Sequence, residues 1–171
     1  MLLRTFDPVV VCVVAGCGIA SAAIDLRERR VPNPLTLGIA GLGLLLAALH
    51  TTGVGVTGAL AGMGLGFALM LPGHLIGATG AGDVKLFAAL GAVLGPGRTG
   101  AAFLYTAIAG GLLAVVIASR RHRLRTTVER TAMLVRSGGG TAAAIERPTE
   151  NNRFAYAPAI AIGALAAALG F

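Results

Sequence analysis

Hydrophobic residues in this chain come in long runs with no period of two, and polar residues gather between the runs. Six apolar segments can be marked: Pro8–Ile24, Pro34–His50, Val54–Leu71, Val84–Gly95, Gly100–Ser119 and Phe154–Phe171. Most run 17 to 20 residues, about the helix length that crosses a ~30 Å hydrocarbon core. Continuous apolar character excludes barrel strands, so helices are left to satisfy the backbone polar groups in lipid. The expected fold is all-α: a polytopic membrane bundle of about six transmembrane helices, one domain over residues 1–171. Asp7-Pro8 and Asn33-Pro34 read as N-cap and first helical residue of helices one and two. Pro72 and Pro96 are expected to close helices three and four.

Composition agrees with this pattern. Hydrophobic residues make up 56% and charged residues 12%, against roughly 25% charged in soluble domains. The net charge of +7 comes with no Trp and 5% aromatics, too few for a base-stacking surface, so no nucleic-acid partner is expected. Its arginines instead flank the apolar runs: Arg27, Arg29 and Arg30 after the first, and Arg120 to Arg153 between the fifth and sixth. Placing both basic loops in the cytoplasm lets all six spans alternate and leaves the N- and C-termini outside. In the 120–153 basic cytoplasmic loop, Leu124, Val128, Ala132 and Val135 fall at helical spacing. A helix lying on anionic lipid headgroups has that pattern, and Ser137–Ala144 follows as a linker. Val14-Ala15-Gly16-Cys17 and Ala20-Ser21-Ala22 look like cleavage boxes, but the acidic Asp7 and the apolar run to Ile24 argue for retention. Cys12 and Cys17 read as small buried hydrophobes.

Two acids stand out against this background. Asp25 ends the first apolar run, in Asp25-Leu26-Arg27-Glu28-Arg29-Arg30-Val31-Pro32-Asn33. Asp83 opens the fourth, in Gly80-Ala81-Gly82-Asp83-Val84-Lys85. An ionisable side chain at a bilayer boundary is costly unless paired or hydrated. Pairing with Arg29 one turn on, or with Arg27 or Arg30, is the alternative for Asp25, and Glu28 carries no other mark. The topology puts both acids at the cytoplasmic side and leaves the outer half of the protein without an acid. The fourth segment is short: Asp83 to Gly95 spans roughly 20 Å of helix. That shortness, with the Gly-rich His74–Gly82 before it, places Asp83 in a recessed, wet cleft. Gly80 and Gly82 leave room for a substrate backbone beside the acid. Lys85, about 200° round the helix, reads as a snorkelling charge that points away, with substrate or lipid contact the alternative. Pro32, Asn33 and Lys85 join Gly80 and Gly82 as candidates for the substrate's approach. His74 is a further candidate for the cleft wall. Gly58, Gly62 and Gly66 form one small face on helix three, and Gly91 and Gly95 another on helix four.

Two neighbouring carboxylates share one proton, so one can activate a water while the other donates. His50, His74 and His122 are scattered, no HExxH occurs, and neither a metal nor any other cofactor is expected.

Asp25 with Arg29, Arg30, Val31, Pro32 and Asn33, and Gly80 to Leu86, resemble the two signature regions of the type IV prepilin peptidase family, polytopic GxGD aspartic endopeptidases. Ala155 to Gly163 is similar to that family's last helix. The resemblance implies a catalytic Asp25–Asp83 pair in a multi-pass protein of a bacterial or archaeal plasma membrane. It implies cleavage of prepilin-like precursors at the cytoplasmic face, after a short leader. The chain lacks the cytoplasmic CxxC insert of long members, so it resembles the short Flp or tight-adherence branch, without the N-methylation activity. A small proton- or cation-coupled transporter and a non-catalytic assembly subunit are the rival classes.

Overall fold

The computed structural model describes residues 7–77, 79–120 and 156–171. The basic stretch with its surface-helix pattern and Ser137–Ala144 linker lies outside the described residues, as does His122. The described residues form helices α1 (Pro8–Glu28), α2 (Asn33–Ala48), α3 (Val56–Leu75), α4 (Ala81–Arg120) and α5 (Ala157–Leu169), with no strand among them. Three are long and apolar enough to cross a membrane: α1, α3 and the Ala81–Val116 part of α4. Side chains such as Ile19, Leu37, Leu104 and Leu112 stand exposed on the outside of the bundle. Surface of that kind suits lipid rather than water.

Local chemistry explains the helix ends. Asp7 caps α1 as expected, accepting from the Val9 and Val10 N–H groups at 3.0 and 3.3 Å. The second helix starts one residue earlier than expected. Its cap is Pro32, and the Asn33 side chain makes no cap bond. Pro72 does not close α3, which continues to Leu75. A proline fixes φ near the helical value and removes one donor, which neighbouring packing can offset in an apolar bundle.

The break in α4 falls where the apolar segments divide. Gly95 has φ 73° and ψ 170°, a conformation open to glycine and strained for any other residue. Pro96 follows, and the Thr99 hydroxyl donates to the Gly95 carbonyl at 2.7 Å, closing the next turn. The two arms fold back on each other: Phe87 and Phe103, placed symmetrically about Gly95, meet edge to face at 6.1 Å. The inner arm is the centre of the bundle. From Val84 to Leu94 every residue but Lys85 is buried.

Small residues let the other helices reach that arm. A Cβ on Gly62 would collide with the Gly91 carbonyl oxygen, and one on Gly91 with that of Gly62. Gly66 lies against the Phe87 carbonyl in the same way, and Gly43 of α2 against Ala92 and Val93. Gly58 is not part of this contact; it faces Val54. Cys12 is exposed and Cys17 half-buried, so Cys12 corrects the expectation of a buried residue: it lies on the outer face of α1. On the other side α5 packs antiparallel to α1, with Gly18 against Ala161, and to the outer arm, with Gly163 against Thr106.

Substitution should separate these contacts from idle glycines. Gly62→Ala is expected to destabilise the protein by about 1–3 kcal/mol, the usual range for overpacking. Gly41→Ala, with nothing within 4 Å of the added carbon, should be neutral or slightly stabilising. Thermal unfolding in detergent measures both.

Candidate active site

Asp25 sits in the last turn of α1 and is 5% exposed. Arg29 ends the helix in the left-handed region at φ 53°, its N–H donating to the Asp25 carbonyl at 2.8 Å. The chain then turns inward at buried Val31 and enters α2 through Pro32. An ion pair joins Arg30 to Glu28 at 3.6 Å, both side chains well exposed. Pairs of that kind add little stability.

Asp83 sits in the first turn of α4. The helix starts at Ala81, two residues earlier than expected, with Gly80 before it. The Asp83 and Val84 N–H groups donate to the Gly80 carbonyl at 3.1 and 3.2 Å. The Asp83 carboxylate reaches back, Oδ2 accepting from the Gly80 N–H at 3.1 Å. This is the reciprocal half of a capping box. Neither Gly80 nor Gly82 has positive φ. A Cβ on Gly80 would lie 3.0 Å from Asp83 Oδ2, and the open side of Gly82 is filled by Val31 at 3.4 Å. Upstream, the turn is held by Thr79 N–H on the Gly73 carbonyl at 3.2 Å and by His74 Nδ1, 3.0 Å from the Thr79 carbonyl. His74 is exposed there.

The two motifs meet. Lys85 Nζ donates to Asn33 Oδ1 at 3.0 Å, which replaces the expected outward-pointing lysine and explains why Asn33 does not cap α2. Asp25 and Asp83 lie within electrostatic range of each other, and Asp83 of Tyr156. Asp83 is half-buried, so the recessed position expected for it applies still more to Asp25. The Asp25 Oδ2 accepts the Ala157 N–H at 3.0 Å, a buried bond across 132 residues. It places the carboxylate at the positive end of α5.

Sequence reasoning gave Tyr156 and Ala157 no site role. The available signal was Tyr-Ala-Pro opening an apolar run, since proline in the first turn marks a helix start. Nothing in the spacing says which acid that start meets.

The other end of the bundle is different. A cavity of about 570 Å3 is lined there by residues including Asp7, Val54, Gly95 and Arg98. Asp7 corrects the expectation that this end lacks an acid. Its oxygens are taken by N–H groups of Val9, Val10 and, at 3.4 Å, Gly53, as suits a cap. Among the described residues no group of three or more His, Cys, Asp or Glu stands close enough to hold a metal.

A family model described as the type IV leader peptidase family matches residues 12–115. That span holds Asp25, Pro32, Asn33, Gly80, Gly82, Asp83 and Lys85, and ends before α5. No curated protein and no solved structure matches the chain.

The Lys85–Asn33 bond joins exposed groups, so solvent limits its worth. A double-mutant cycle with Lys85→Met and Asn33→Ala should return a coupling of about 1 kcal/mol or less in thermal unfolding.

Proposed function

The chain belongs to the type IV leader peptidase family, and we propose that it is an aspartic endopeptidase whose catalytic pair is Asp25 and Asp83. The observation that carries this reading is that two acids from distant parts of the chain lie within electrostatic range of each other, each with one carboxylate oxygen held by a backbone N–H. In each side chain Oδ2 is engaged, which leaves Oδ1 for water and substrate. Like charges within range of each other oppose full ionisation of both, so in this reading the pair carries one proton. The ionised member takes a proton from the water between them as its oxygen attacks the scissile carbonyl. The protonated member donates its proton to the developing oxyanion. As that intermediate collapses, the member that took the water's proton passes it to the leaving amine, and the hydroxyl proton returns to the other carboxylate as the carbonyl re-forms.

The substrate in this reading is a prepilin-like precursor, an apolar helix with its leader in the cytoplasm. Exposed Gly80 borders the path of the scissile segment, with Gly82 behind it. Pro32, Asn33 and Lys85 hold the adjoining wall. The alternating helix directions and the basic loop after α1 support six spans, both termini outside and the acids at the cytoplasmic face of a plasma membrane. Anionic lipid headgroups are the partners of the basic loops. A coupled transporter fits less well, because Val84 to Leu94 fill the bundle centre with buried apolar and glycine residues and only Lys85 breaks the run. Within that arm, among the described residues, no buried polar side chain offers a route between the two ends.

Cleavage of a purified prepilin-like precursor, followed by the gel shift of leader loss, tests the pair. Asp25→Asn and Asp83→Asn should each lower the rate by about 10²–10⁴-fold, the span of general acid–base contributions, with membrane insertion intact. Normal cleavage by either variant would refute the pair. A reporter inserted at Gly138 should read cytoplasmic and one after Phe171 external; the reverse result removes the proposed orientation.

A further inference from the structure

We infer that the first turn of α5 is the positioning element for Asp25: the Ala157 N–H orients the carboxylate, and Tyr156, wedged on Gly110, holds Ala157 in place. The inference rests on the aspartic reading of the pair.

The first turn of a helix has N–H groups without intrahelical partners. In α5 they are nearly all accounted for. Pro158 has none, and the Ala159 and Ile160 N–H groups go to the Tyr156 carbonyl at 3.0 and 3.2 Å. Ala157 alone in this set is directed out of the helix, and it donates to Asp25. Because Asp25 is buried, loss of that donor leaves a carboxylate with little water to replace it.

The turn is itself held. A Cβ on Gly110 would lie 2.5 Å from Tyr156 Cε2 and 2.7 Å from its hydroxyl oxygen, so the ring rests directly on the outer arm of α4. Lower down, Gly18 meets Ala161 and Gly163 meets Thr106. Seven of the thirteen α5 residues are buried, which makes the helix a packed strut. The turn contacts Asp25 directly, and Tyr156 lies within electrostatic range of Asp83. A shift of the turn by a fraction of an ångström therefore moves Asp25 relative to Asp83.

Replacing Ala157 by lactic acid through nonsense suppression converts the Tyr156–Ala157 amide into an ester, which removes the N–H and weakens the Tyr156 carbonyl as the acceptor for Ala159 and Ile160. The prepilin cleavage assay should show kcat lowered by roughly 10–100-fold, the order expected for misplaced catalytic groups, with KM changed less than about twofold. Gly110→Ala should reproduce the kcat loss by pushing the Tyr156 ring, whereas Gly111→Ala, with open space beside it, should not. A folded ester variant with wild-type kcat overturns the inference, while an inactive Asp25→Asn in the same assay leaves the aspartic reading standing. If the ester variant fails to fold, equal kcat for Gly110→Ala and Gly111→Ala overturns it instead.

Discussion

A carboxylate inside an apolar bundle must have its charge met by oriented dipoles or by a cation, and here backbone N–H groups at helix starts meet it. Asp83 is held by the N–H of the residue that caps its own helix, and Asp25 by the first N–H of a helix from the far end of the chain. Helix starts suit this role because they combine unpaired donors with the positive end of the helix dipole. A cation on each acid would neutralise it outright. In the proposed aspartic reading, neutral donors leave the two acids able to share a proton and exchange it with water.

The rest of the bundle makes that meeting possible. The inner arm of α4 is short because Gly95 turns the chain back, and a short arm keeps Asp83 at the edge of the packed core. Backbone contact at Gly62 and Gly91 draws α3 onto the arm, and Gly43 draws α2 onto it. Packing between surfaces without large side chains works in lipid, where close approach and dispersion replace the hydrophobic drive. Arg29–Pro32 and Thr79–Gly82 then lie at one end beside each other. Lys85 on Asn33 and Val31 on Gly82 join them.

Much of this was legible in the sequence because apolar run length is a strong signal. The runs, the Asp7 cap, the division at Gly95-Pro96 and the shared end of Asp25 and Asp83 all follow from local pattern and alternating direction. The misreadings have a common cause. Pro72 inside α3, the start of α4 at Ala81, the exposure of Cys12 and the reach of Lys85 to Asn33 each depend on what a neighbouring element offers. Helical spacing correctly places Lys85 off the Asp83 face but is silent about α2 standing there. The Ala157 donor was illegible for the same reason: a backbone N–H leaves no trace in residue identity.

The two acids therefore differ in how their geometry is encoded. The hydrogen bond of Asp83 closes over three residues and forms with the helix that carries it. That of Asp25 closes over 132 residues and exists only when α1 and α5 are docked. Local bonds survive small movements of whole helices; long-range ones do not. The variable in the pair is then the docking of α5 against α1 and the outer arm, at Gly18, Gly110 and Gly163. Those contacts involve helix α5, beyond the stretch matched to the family. The spacing of the carboxylates can thus be tuned by a part of the chain that carries neither acid motif.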